Sequence, residues 1–153
     1  MTLTDHQIGL IERSFSQMIP ISGLAAELFY ARLFSIAPEV QPLFKSDLKV
    51  QGAKLMQSLG LVVSGLRDWE AMKPVAADLA ARHVVYGVTP AQYEPVGDAL
   101  IWTLARSLGE AFDPETEAAW RAAYGVISDF MVDSAYARPM AASDVAASDM
   151  AAE

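Results

Sequence analysis

No cysteine occurs in the chain, which excludes disulfides, zinc–thiolate centres, iron–sulfur clusters and thiol nucleophiles. Basic residues are scarce: 11 Lys and Arg stand against 19 Asp and Glu, a net charge of −8. Nucleic acid and anionic membrane surfaces both require clustered cations, so neither partner is expected. The acidity reads as solubility. No apolar run in the sequence approaches the roughly 20 residues of a membrane span. The start, Met-Thr-Leu-Thr-Asp-His, lacks a basic segment leading into an apolar stretch. No secretory signal is therefore expected, and the cytoplasm is the expected location. No window alternates with the period of a strand, and no Asn-Gly hairpin signal occurs. Histidine is nearly absent as well, with only His6 and His83.

What remains is apolar and helical. A hydrophobic content of 53% over 153 residues suits one domain with a real core. Thr4-Asp5-His6-Gln7 forms a capping box that opens a first helix to about Met18. Pro20 is expected to start a second helix, Ile21 to about Phe34, and Pro38 and Pro42 punctuate a short connection ending at Phe44. From Ser46-Asp47, the residues Leu48, Gln51, Leu55, Leu59, Val62 and Leu66 recur at amphipathic spacing. A further helix is expected from Pro74 to Tyr86. Thr89-Pro90-Ala91-Gln92 starts another, which ends at Gly109, and Asp113-Pro114-Glu115 caps a last long one. The segment Ala141–Val145 is nearly repeated by Ala146–Met150. Its small residues bury too little to offset ordering entropy, so 138–153 is expected to be a disordered tail behind one domain of residues 1–137.

His83 is the chemically most informative residue. It lies in a helical stretch that stops at Gly87, whereas His6 sits in the polar start of the first helix. If a transition metal is bound through nitrogen, His83 carries the bond. A lone histidine on an apolar helix face is more often an ordinary packed residue. Tyr30 alone reads as a core tyrosine bonded to a backbone carbonyl, Phe44 as packing, and Gln51 as a solvated helix residue. Their meaning lies in their joint order and spacing.

The segments Phe29-Tyr30-Ala31-Arg32-Leu33-Phe34, Pro42-Leu43-Phe44, Lys54-Leu55-Met56, Arg82-His83, Tyr93-Glu94-Pro95-Val96-Gly97 and Ala119-Trp120-Arg121-Ala122-Ala123-Tyr124-Gly125 resemble a globin. More narrowly, they resemble bacterial single-domain globins and the haem domain of flavohaemoglobins, over about residues 5 to 135. The resemblance implies an all-α fold, a three-over-three helical sandwich enclosing haem b, iron protoporphyrin IX. It makes His83 the proximal iron ligand and Gln51 the distal residue. Leu55 limits the space over the iron, Tyr30 reaches into the distal pocket, and Phe44 packs flat on the porphyrin. Lys54 and Arg82 are candidate propionate partners, with a solvated role for either equally in view. Leu79 is expected beneath the haem, and Val88 and Val96 on its proximal side.

The resemblance departs from the flavohaemoglobin pattern in two places. There the proximal histidine is linked to a tyrosine and to a glutamate late in the last helix. Tyr93 matches the tyrosine, but Ala135 stands where the glutamate belongs, and Asp133 is two positions off, on another side of the helix. Strong oxygen activation is therefore not implied. No Gly-rich dinucleotide fingerprint or flavin domain follows, so a separate reductase is expected to supply electrons. The implied function is reversible binding of O2, NO and CO at ferrous iron, in a monomer or weak dimer. Tyr30 and Gln51 act as catalytic donors if NO is oxidised to nitrate. An oxygen carrier or scavenger, and a haem-based gas sensor, are the other two readings. A helical interaction domain without haem is the fourth.

Overall fold

The computed structural model describes residues 3–45 and 47–136, and these form six α-helices joined by short turns, with no strand among them. The segment 138–153, read from sequence as a tail, lies outside the described residues. Helix α1 (Asp5–Met18) begins at the expected box: the Thr4 hydroxyl accepts from the Gln7 amide at 3.1 Å, and the Gln7 side chain accepts from the Thr4 amide at 2.9 Å. Pro20 does not open the next helix directly. It sits in a 3-10 turn, Ile19–Ile21, and α2 follows as Ser22–Ile36. A second 3-10 turn, Pro38–Leu43, delivers Phe44.

Helix α3 (Leu48–Ser64) is capped by Asp47, which accepts from the Lys49 amide at 3.1 Å. Helix α4 (Trp69–Val85) starts before Pro74, so the expected start is corrected: Pro74 lies inside the helix. Asp68 caps the true start, accepting from the Ala71 amide at 3.4 Å. The first turn is anchored by Trp69, edge-on to Phe130 at 5.4 Å, and by buried Met72. These tertiary contacts offset the backbone donor that Pro74 lacks. Helix α5 (Tyr93–Leu108) follows the turn Pro90–Gln92 and ends at Gly109, whose φ is +57°. Helix α6 (Pro114–Ala135) is capped by Asp113, which accepts from the Thr116 amide at 2.8 Å.

The helices stack three over three, with α1, α3 and α4 across α2, α5 and α6. Helix α2 packs along α5 and α3, while α6 supports α1, α4 and α5. Gly52 is what lets α3 approach α2 so closely, because a Cβ there would lie 2.8 Å from the Ala26 methyl. Helix α3 makes no comparable contact with α4. The apolar interior accordingly divides in two. One cluster holds Ile11, Phe29, Tyr30, Leu33, Leu104 and Trp120, and the other Ala76, Ala80, Tyr93 and Met131. Ile127 of α6 packs against both.

The helical stretch Asp5–Ile36 has a mean hydropathy of 1.3 over its most apolar window, enough by length and composition for a membrane span. This exceeds the sequence expectation. Its Ile8, Ile11, Phe29 and Leu33 are buried against the other helices. Trp120 ties α1 to α6: its indole donates to Ser14 Oγ at 2.7 Å, and Ser14 donates to the Leu10 carbonyl at 2.8 Å. Trp120→Ala should destabilise the fold by about 3–5 kcal/mol, read as a lower denaturant midpoint at unchanged slope. A loss below ~1 kcal/mol would show that the α1–α6 contact does not depend on this ring.

Candidate functional site

His83 lies in the last turn of α4, and its ring is fixed from two directions. Its Nδ1 lies 2.6 Å from the Leu79 carbonyl. A carbonyl only accepts, so Nδ1 carries the proton and Nε2 keeps its lone pair for a metal. The ring also lies against Tyr93, with centroids 6.0 Å apart at 29°. Helix α4 ends on Gly87, whose φ of +95° strains any other residue, and whose added Cβ would meet Leu43 at 3.3 Å. The end is closed by Gly87 donating to the Val84 carbonyl at 3.0 Å and Val88 donating to the His83 carbonyl at 2.9 Å, a left-handed helix cap.

Leu79 and Val88 are half-buried against the smaller apolar cluster. Tyr93 is buried there, and its hydroxyl finds no partner among the described residues. Burial, with a smaller effect from neighbouring Tyr136, pushes its ionisation up to about 12. The Tyr124 hydroxyl donates to the Tyr93 carbonyl at 2.6 Å, and the Tyr136 hydroxyl donates to the Val88 carbonyl. Ala135 packs in this cluster while Asp133 is exposed. Among the described residues no carboxylate is hydrogen-bonded to His83 or Tyr93.

Tyr30, Phe44 and Leu55 come together against the larger cluster. Tyr30 is 4% exposed and caged by Phe29, Phe34 and Phe44, with ring centroids 5.1, 5.9 and 5.2 Å away. Burial raises its ionisation to about 12, so it is a neutral donor at physiological pH. No hydrogen bond among the described residues uses its hydroxyl, so the backbone-carbonyl alternative is not realised there. Gln51 sits half-buried in the first turns of α3, and Leu55 follows one turn later, half-buried. Val96 is half-buried and packs against the cluster that holds Tyr30. Lys54 is exposed. Arg82 is exposed and paired with Asp78 at 2.7 Å on its own helix. His6, the other histidine, pairs with Glu115 at 3.1 Å on the surface.

No group of three or more His, Asp or Glu side chains suited to a metal ion occurs among the described residues. One histidine nitrogen is a poor site for a bare ion. It suits a metal that brings its own equatorial ligands in a flat apolar macrocycle. Phe44 and Leu55, packed on the larger cluster, and Leu79 and Val88, packed on the smaller, are half-buried and apolar, the chemistry that the faces of such a group require.

A Globin family model matches residues 27–131. The chain belongs to the globin family. This globin is 30% identical over 106 residues to a flavohemoprotein of Rhizobium meliloti, covering 67% of the chain and 26% of that relative. It is 32% identical over 107 residues to a flavohemoprotein of Halalkalibacterium halodurans, covering 68% and 26%. Over 133 residues it is 29% identical to a flavohemoprotein of Deinococcus radiodurans, covering 85% and 33%. The globin thus spans only 26–33% of the length of these relatives. Membership implies a haem cofactor and gas binding.

Three contributors to the site were not singled out from sequence. Phe34, one turn after Tyr30, was signalled by helical spacing alone. Gly87 announced a helix end, although not a cap closing on His83 itself. Tyr136 gave no signal, because the end of α6 was read for a carboxylate.

Proposed function

We propose that this globin binds O2, NO and CO at a haem b held by His83, and converts NO to nitrate when a separate reductase supplies electrons. The observation that carries the reading is the Nδ1 proton of His83 fixed on the Leu79 carbonyl, which leaves Nε2 as the one metal-directed donor. When bound, the haem supplies a ferrous iron with one open position for a diatomic ligand. Phe44 and Leu55, with Leu79 and Val88, would hold the macrocycle and exclude water from it. Tyr30 Oη and the Gln51 amide donate hydrogen bonds toward a polar ligand, which favours O2 over less polar CO. Neither side chain has another hydrogen-bond partner among the described residues, so neither has to give one up. A cytoplasmic setting, where reduced nicotinamide is available to a reductase, suits this reading.

The balance NO + O2 + e⁻ → NO₃⁻ shows why a reductase is required. The protein charged with O2 should consume one equivalent of NO, form one of nitrate, and stop. Sustained consumption should appear only with added reductase and nicotinamide. Loss of O2 without nitrate would remove the enzymatic reading and leave a gas-binding protein.

One observation favours the carrier or scavenger reading beside it. His83 is bonded to a neutral carbonyl, and the nearest late-helix acid, Asp133, is exposed. A neutral partner donates less charge through the imidazole than a carboxylate, which suits reversible binding over oxygen activation.

A further inference from the structure

We propose that α5 carries a self-complementary stripe of Asp98, Trp102 and Arg106, through which two copies of this globin pair antiparallel. In a chain of net charge −8, an arginine has carboxylates in excess to pair with. Arg67 pairs with Glu12 and Arg121 with Glu117, both at 2.8 Å. Arg82 pairs with Asp78 at 2.7 Å, and Arg13 stands near Asp113. Arg32 of α2 and Arg106 of α5 differ: neither makes an ion pair among the described residues. They converge instead on one half-buried indole, with Cζ atoms 5.1 and 5.7 Å from the centroid of the Trp102 ring. Two like charges on one ring repel each other. The buried Nε of Arg32 also lacks a hydrogen-bond partner among the described residues. Glu110, four positions after Arg106, lies in the turn beyond the helix and does not pair with it.

The missing carboxylate lies on the same row of the helix. Asp98 stands four residues before Trp102 and Arg106 four after, the spacing of one packing ridge. Asp98 and Arg106 are exposed, and so is Ala105, whose small side chain permits close approach. Asp98 makes no ion pair among the described residues, and Arg121, which lines the same α5–α6 groove, is engaged by Glu117. The helix holds Asp98 and Arg106 roughly 12 Å apart, so they cannot meet within one chain. A second copy running antiparallel brings them together. With a two-fold axis at Trp102, Asp98 of each copy faces Arg106 of the other, and the indoles meet at the centre. A parallel pairing sets Asp98 against Asp98 and Arg106 against Arg106, so charge selects the antiparallel register. Tryptophan and arginine are also the residues in which interface energy concentrates. The net charge of −8 on each copy opposes association, which makes the dimer a weak one. His83 and Gln51 lie on other helices, so the inference does not depend on the haem reading.

Sedimentation equilibrium of the full chain, from about 1 μM to about 1 mM, tests the pairing. The parent should show a concentration-dependent monomer–dimer equilibrium. Asp98→Arg and Arg106→Asp, each alone, should weaken the dimer by about tenfold or more, because the two-fold axis counts each like-charge contact twice. These two variants change the net charge in opposite directions, so a loss shared by both cannot come from overall repulsion. Asp98→Arg combined with Arg106→Asp sets opposite charges face to face again, and should return the dimer to within about threefold of the parent. Asp133→Arg, an equal change of charge at an exposed position on α6, should not weaken the dimer. Circular dichroism checks that each variant keeps its helices. A parent that stays monomeric at about 1 mM would overturn the proposal. So would a dimer that either single variant leaves intact, or one that the double variant fails to restore. Failure to take up haem would overturn the function proposed above and leave this test standing.

Discussion

Tyr30→Phe should raise the O2 dissociation rate by one to two orders of magnitude. Phe29, Phe34 and Phe44 cage the ring at centroid distances of 5.1, 5.9 and 5.2 Å, and a phenylalanine fills the same cage. The substitution therefore removes a donor with little repacking. A hydrogen bond to a ligand that has gained negative charge contributes ~1.5–3 kcal/mol. At ~1.4 kcal/mol per tenfold, its loss gives the stated range. The rate should be flat between about pH 6 and 9, because the hydroxyl ionises only near 12. The sign of the linked stability follows from the same shift. The folded value lies above the ordinary 10.0, so the contribution is complete below about 10 and is lost as the pH rises toward about 12. CO release should change less, and Gln51→Leu should have a smaller effect than Tyr30→Phe. Stopped-flow replacement of O2 by CO measures all of these, and an unchanged rate in Tyr30→Phe would remove Tyr30 as the donor.

His83→Ala should weaken haem retention by more than ~100-fold, since even outer-shell partners of a metal ligand are worth about 10–100-fold. The Soret band of the loaded protein should bleach on exposure to a haem acceptor. Imidazole added from solution should restore it in part, by returning the missing nitrogen to the space the side chain vacates. The fold should survive, because the ring is only half-buried and sits in the last turn of α4. His6→Ala should leave the band untouched, because that ring faces Glu115 at the surface. A full-strength, unrescued Soret band in His83→Ala would place the iron on another residue.

The helices were largely legible in the sequence because their ends are written in local chemistry. Thr4, Asp47, Asp113 and the Thr89–Gln92 box all cap where their side chains promised. Pro74 misled because proline marks a preferred first-turn position, whereas Asp68 caps the earlier start and Trp69 and Met72 anchor it. Pro20 misled by less, opening a 3-10 turn in place of the helix itself. At the site, Tyr30, Phe44 and Leu55 were singled out by the globin resemblance, and the fold packs all three against one cluster although they lie on separate elements. The Nδ1 bond to Leu79 follows from helical spacing, one turn back from His83. The Tyr136 contact joins residues distant in sequence, and no periodicity announces such a pair.

The division of the interior has a consequence for how the protein matures. Helix α4 packs mainly on α6 and touches α3 little, so it is held from fewer sides than the other long helices. Its opening does not require the larger cluster to melt, which makes it a separate cooperative unit. With haem held by His83 as proposed, its uptake would be coupled to ordering of α4, because the macrocycle would add a contact that α3 does not. Affinity for haem and stability of the proximal helix become two readings of one free energy, so a change that loosens α4 lowers cofactor occupancy without touching the cofactor.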